Sequence, residues 1–382
     1  MDYFDWYAAY LHRTCPVADA HLDLVTEVYR RRKKGERGVL NTYYREEFQK
    51  GGVNLVIASL FLGRDELDDC MENDIFPRGA LLKKSLEMLA AFYEDLEETK
   101  GRMQLVTDRD SLLGITAKRG FSRQYRVGIV LYLEGLDMLE GEPELLRCFY
   151  AMGVRGAALT WNRRQEMVNA FAEGCGVDTR ISGTAEREEN EREDRACGES
   201  GEKKEDGKQA ITDRGVQALF LMEKLGIFVD SSHLSREAAW LLPSFTEKPF
   251  AATHSNSAAL VPHQRNLTDG EIEQIAGRGG VIGINAYRKF CRLSAEGDVG
   301  TVRSACGADF SDALCDHAAY LIKKAGEDHV GFGLDFGEDT VLSGYHELPG
   351  VTAELLRRGF SVETMKKVLG GNWIRFLSAV LK

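Results

Sequence analysis

Eight short runs of apolar, β-favouring residues recur along this chain, separated by stretches with helical spacing or by polar connections. The runs are "ADAHLDLV", "VNLVIASLF", "VGIVLYLEG", "RGAALTW", "IFVDSSH", "PFAATHS", "GVIGINAY" and "HVGFGLDF". Their near-continuous apolar character suits burial on both faces, as in a parallel sheet covered by helices. Between them, "LLKKSLEMLAAFYEDLEE" places apolar residues at helical spacing with charges opposite. "DRGVQALFLMEKLG" stops at a glycine, and "TDGEIEQIA" opens with Thr268 and Glu271 in capping-box spacing. "DALCDHAAYLIKKAG" and "VETMKKVLGGNWIRFLSAVL" read as further helices. Strands alternating with helices imply parallel βαβ units. Eight of them point to an α/β fold of the (β/α)8 TIM-barrel type rather than an open doubly wound sheet. A ninth run, "MQLVTD" at 103–108, is expected outside the main set.

The chain has 382 residues, 43% of them hydrophobic, enough for one barrel domain spanning 1–382. Residues 176–209 stand apart. They are charged and almost free of apolar side chains, so they read as a disordered, solvated insertion. A formal charge of −11 argues against a nucleic-acid partner. The start "MDYFDWYAAYLHRTCP" lacks the basic-then-apolar form of a signal peptide, and no apolar run reaches membrane-spanning length. The eight cysteines are scattered with no C-x-x-C pair, as expected of reduced thiols in a cytoplasmic protein. No G-x-G-x-x-G follows the first strand, and the glycines of "GRGGVIGIN" precede their strand, which weakens a dinucleotide reading.

The chemistry lies where the apolar runs end: His21 and Asp23, Glu134, His233, His254 and Asp335. Singly, a strand-end aspartate often caps the next helix, and a strand-end histidine is often a hydrogen-bonded core residue. Together they mean more, because a parallel barrel opens all its strands' carboxyl ends onto one face. Imidazoles and carboxylates without thiolates suit zinc and similar divalent ions. His21 and Asp23 could hold one ion and His233 and His254 another, with Glu134 bridging them, a layout that serves a hydrolase. His12, His263, His317, His329 and His346 fall in loop or helix contexts and read as structural or surface residues. His263 is set apart only by its nearness to Arg265.

The ordered motifs "DAHLDL", "LEG", "VDSSHLS", "ATHSNSAAL", "HQRNLTD", "GGVIGIN" and "HVGFGLDF", with the tail "LLRRGFSVETMKKVLGGNWIRF", resemble the membrane dipeptidase (renal dipeptidase) family of zinc peptidases. The resemblance implies a (β/α)8 barrel with two zinc ions held by His21, Asp23, Glu134, His233 and His254. It implies that Arg265 binds the substrate carboxylate through its planar fork and that Asp335 is the catalytic acid/base. Asn266 is a weaker substrate-side candidate, expected to order its loop. Trp161, in "LTWN", stands where well-known members carry a histidine that stabilises the tetrahedral oxygen, and a tryptophan offers one uncharged N–H instead. "DFGED" puts Gly337 where the family has a second aspartate, and "EGLD" replaces "EGGH" after Glu134. The implied activity is a cytoplasmic dinuclear zinc dipeptidase acting on small dipeptides, including those with a C-terminal D-residue. It would have neither nucleic-acid nor membrane partners, and a homodimer is a candidate assembly. The rivals are a related hydrolase of a small amide or lactone, which would not need Arg265, and a weakly catalytic metal-binding barrel serving as a binding protein, which would not need Asp335.

Overall fold

Seven strands are buried along their whole length: β1 (Val17–Leu22), β2 (Val53–Leu60), β4 (Val127–Glu134), β5 (Val154–Ala158), β6 (Phe228–Asp230), β7 (Ile282–Ile284) and β8 (Val330–Phe332). Only the short β3 (Met103–Leu105) is partly open. The computed structural model describes residues 2–70, 76–117, 125–161, 210–292, 310–337 and 339–382. The charged stretch 176–209 lies outside the described residues. All strand pairs are parallel, and the sheet curls in the order β6-β5-β4-β2-β1-β8-β7. β3 lies off this path, as expected of the ninth run, and pairs with the first residues of β4.

The sixth run, "PFAATHS", differs from expectation. It does not form a strand, but single parallel bridges join Ala251 to Asp230 of β6 and Ala252 to Ile282 of β7, linking the two ends of the sheet path. The backbones come too close there for side chains. A Cβ on Gly283 or Gly333 would lie 1.8 or 1.7 Å from the Thr253 carbonyl oxygen, so both positions require glycine.

An inner apolar cluster fills the curl, with Ala18, Ala20, Leu55, Ile57, Val130, Tyr132 and Phe228 contributed by the strands. Trp373, Phe376 and Leu377 of the last helix (Asn372–Val380) pack into it, and Trp373 Nε1 donates to Phe332 O at 2.9 Å. Each such burial contributes roughly 1.5–3 kcal/mol. A second, larger cluster lies between the sheet and the surrounding helices. Two helix signals read from sequence are realised. Thr268 and Glu271 form the capping box of helix Asp269–Gly277, and Gly226 ends helix Asp213–Leu225 with φ +86°. The tail is helical from Val362 to Val380, as read from sequence, with one irregularity. A π-turn at Lys367–Gly371 widens it between Val362–Lys366 and Asn372–Val380, at the point where Gly370 packs against the Pro16 carbonyl. No helix among the described residues is long and apolar enough to cross a membrane.

The first helix (Tyr3–Thr14) is tied to the body through buried His12, whose Nδ1 lies 2.6 Å from Gly51 O and whose Nε2 lies 2.9 Å from Thr352 Oγ1. Burial, only partly opposed by the Gly51 bond, pushes this imidazole down to about 4. Below an ordinary imidazole value near 6.5, the unfolded chain takes up a proton that the folded chain refuses. Stability therefore falls as pH drops from about 6.5 to about 4, by up to about 3 kcal/mol from this residue. In denaturant titrations, the stability of the wild type relative to His12→Gln should decrease across that window. A difference that stays constant from pH 7 to 4 would contradict it.

Candidate metal centre

Strict alternation along β1 would turn His21 away from the interior that Ala18 and Ala20 occupy. The pairing with β2 resolves this. Asp19 aligns with Val56 and Leu22 with Ala58, so β1 carries one extra residue in a bulge. The bulge re-aims His21 into the curl, where its ring meets Tyr132 edge-on at 5.7 Å and His254 at 3.7 Å. Asp19 does not join it. It is held on the other side by Tyr345 Oη at 2.5 Å and Leu334 N at 2.8 Å.

The remaining strand-end residues arrive on the same edge. Glu134 closes β4, and its Oε1 lies 2.8 Å from His233 Nε2, 3.5 Å from His21 Nε2 and 3.6 Å from His254 Nε2. His233 Nε2 and His254 Nε2 are 2.8 Å apart. His21 Nε2 also lies 3.4 Å from Asp23 Oδ1 and 3.9 Å from Asp335 Oδ1. Asp23 occupies the N-cap position of helix Leu24–Lys33 yet makes no side-chain capping bond, so its carboxylate faces the cluster instead. Asp335 follows β8 with φ +53°, a left-handed conformation that costs a non-glycine residue about 1–3 kcal/mol. Its amide donates to His21 O, which folds it back over the end of β1.

The electrostatics are those of a cation site. Burial raises Glu134 to about 7 against the opposing charge of His21, and it raises Asp335 as well, with Asp23 reinforcing it and His21 opposing. Burial alone would lower His21, but the charges of Glu134, Asp23 and Asp335 outweigh it and hold the imidazole well above its ordinary value. Burial, then Arg265 and His21, keep His233 and His254 well below theirs. Both ring nitrogens of buried His21 lack a hydrogen-bond partner. Buried polar atoms without partners beside converging carboxylates and neutral imidazoles fit a divalent ion. Among the described residues two donor groups fall within 4.8 Å: His21, Glu134 and His254, and His21, Asp23 and Asp335. His21 therefore belongs to both groups, which the pairwise division read from sequence did not anticipate.

A model of the membrane dipeptidase family (peptidase family M19) matches residues 7–382. The chain belongs to that family. Among curated relatives it is 30% identical over 257 residues to an uncharacterized protein in the pqqA 5' region of Klebsiella pneumoniae, covering 66% of this chain and 82% of the relative. It is 29% identical to an uncharacterized dipeptidase of Schizosaccharomyces pombe over 56% of this chain and 43% of the relative. It is 27% identical to the dipeptidase aclJ of Aspergillus oryzae over 67% and 52%. The match thus spans about half of these last two relatives. Among solved structures, a Rhodobacter sphaeroides metallopeptidase liganded with a phosphinate mimic of L-Ala-D-Ala superposes with a TM-score of 0.74, at 22% identity and 96% and 99% coverage. An M19 dipeptidase AC gives the same values. These likenesses are of fold.

In this M19 chain the substrate-side candidates separate. Arg265, 2% exposed, lies in the cluster: Nη1 donates to Ser232 O, and Nη2 lies 3.2 Å from His233 Nε2 and 3.4 Å from His254 O. Asn266 points elsewhere. Its Nδ2 donates to Val261 O and Phe290 O, both at 2.9 Å, ordering the loop. His263 also serves that loop, accepting from Arg265 N and packing on Phe290. Trp161 stands at the rim, 4.9 Å from the Phe61 ring and 6.4 Å from the His233 ring.

Two residues that hold the clustered carboxylates escaped the sequence reading. Ser59 Oγ lies 2.8 Å from Asp23 Oδ1 and 3.2 Å from Glu134 Oε2, tying two carboxylates together. Asn285 Nδ2 donates to Asp335 Oδ2 at 3.0 Å. Asn285 ends "GVIGIN" in the same manner as the other strand-end groups, and Ser59 interrupts the apolar run of β2. That interruption was the available signal, obscured because neither residue is ionisable.

Glu134→Gln removes the carboxylate on which three imidazoles converge. Divalent-metal affinity, measured by chelator competition and elemental analysis, should fall about tenfold or more. Unchanged affinity in that variant would exclude Glu134 as a ligand.

Proposed function

We propose that this chain is a metal-dependent dipeptidase hydrolysing small dipeptides with a free carboxylate, including those ending in a D-residue. In this reading residues 1–382 form one domain, and the curled sheet is a closed (β/α)8 barrel with residues 251–254 as its eighth stave. Two divalent ions, zinc by donor chemistry, would be held by His21 and Asp23 on one side and His233 and His254 on the other, with Glu134 common to both. When bound, such ions acidify water and polarise the scissile carbonyl. The observation that carries the reading is the convergence of His21, His233 and His254 within 3.6 Å of one buried carboxylate oxygen, with Asp335 beside them.

The chain's own residues then divide the work. Arg265 would take the substrate carboxylate, and its buried Nε, without a hydrogen-bond partner, supports a role for the guanidinium beyond fold packing. Asp335 would accept a proton from the attacking water and return it to the leaving amine. Burial raises its carboxyl above the ordinary carboxylate value, and Asn285 on Oδ2 leaves Oδ1 facing His21. Trp161 would wall the site and offer its single indole N–H. The phosphinate mimic of L-Ala-D-Ala bound by the Rhodobacter sphaeroides protein supports including D-residues. A cytoplasmic location and a homodimeric assembly are parts of this proposal.

A panel of L,L- and L,D-dipeptides, set against N-acyl amides and lactones and assayed with and without chelator, tests the activity. Asp335→Asn should retain its metal but lose about 10²- to 10⁴-fold in kcat. Turnover of amides or lactones in preference to dipeptides, or full activity in the variant, would overturn the assignment.

A further inference from the structure

An imidazole that offers Nε2 to a metal must carry its proton on Nδ1, and what Nδ1 meets decides whether it does. For His254 that partner is the Thr253 hydroxyl, 2.8 Å away. A hydroxyl can donate or accept, so this contact by itself leaves the direction open. Asp230 settles it. This last residue of β6 is fully buried. Its Oδ2 receives Tyr132 Oη at 2.6 Å and Thr253 Oγ1 at 2.5 Å. Its Oδ1 receives Ser232 Oγ at 2.7 Å, Thr253 N at 2.9 Å and Ser232 N at 3.0 Å. The carboxylate accepts in all five contacts, and the two backbone amides among the donors cannot accept in return. The Thr253 hydrogen therefore points at Asp230, and its oxygen lone pair is left for His254 Nδ1–H.

We infer that Thr253 is a positioning residue: anchored by Asp230, it holds His254 in the tautomer that presents Nε2 to the metal centre. The inference rests on the reading of His254 as a ligand. The placement of the hydroxyl is set by backbone. Thr253 O is seated against Gly283 and Gly333, where neither position has room for a Cβ, and Thr253 N is fixed on Asp230. A β-branched side chain on that backbone has few χ1 options. The same carboxylate that bridges β6 to residues 251–253 thus also directs a ligand at the seam. His21 lacks such a device, since its Nδ1 has no hydrogen-bond partner.

Thr253→Val keeps the shape and removes the hydroxyl, while Thr253→Ser keeps the hydroxyl. Zinc affinity by chelator competition should fall about 10- to 100-fold in Thr253→Val and stay within about threefold of wild type in Thr253→Ser. Metal-free, 15N-histidine-labelled protein gives an independent readout, with the His254 signals assigned through His254→Gln. The Nδ1–H tautomer should dominate at His254 in the wild type and in Thr253→Ser, and be lost or mixed in Thr253→Val. Unchanged affinity and tautomer in Thr253→Val would overturn the inference. So would equal loss in both variants, which would mark a packing role. Wild-type protein that binds no metal yet shows the Nδ1–H tautomer would fell the dipeptidase reading while the hydrogen-bond relay stood.

Discussion

Parallel pairing is the constraint from which the rest follows. Because every strand of the sheet runs the same way, every carboxyl end lies on one edge, and residues as far apart as His21 and Asp335 become neighbours. That edge concentrates polar groups, while the opposite end of the interior is closed by Trp373, Phe376 and Leu377. The apolar plug and the polar mouth are complementary. Burial of the first offsets the cost of holding several ionisable groups out of water at the second.

Those groups are not individually content. Glu134, Asp335 and His21 are held away from their ordinary protonation by burial and by one another, and Asp335 sits in a left-handed conformation. Such concentrated strain and like-charge crowding persist only where surrounding structure over-determines them. Here the determinants are short polar contacts, most of them from neutral residues. Ser59 lies between two carboxylates, Asn285 holds Asp335, and Thr253 with Asp230 holds His254. An M19 chain thus shows ionisable residues at its centre and amide and hydroxyl groups behind them.

Much of this was legible in advance. Apolar runs with flanking helices implied parallel strands, since both faces of each strand had to be covered. The ionisable residues that end those runs were visible because charge is conspicuous in an apolar context. The supporting Ser59, Asn285 and Thr253 were not, because a neutral polar residue at a strand end looks like the start of any loop. Helix caps at Thr268 and Gly226 were readable, being local. The π-turn at Lys367–Gly371 was not, because it answers to a distant contact with Pro16.

What the sequence by itself determined is the parallel α/β class and the kind of atoms offered at the strand ends, both consequences of local pattern and side-chain chemistry. What only the tertiary structure decided is which of those atoms meet. The bulge in β1 turns His21 inward and leaves Asp19 outside, although alternation alone treats them alike. The bridges at Ala251 and Ala252 bring His254 against His21, so that His21 joins both donor groups. One extra residue in a strand and one close backbone approach at a seam depend on partners far away in the chain, and no local pattern encodes them.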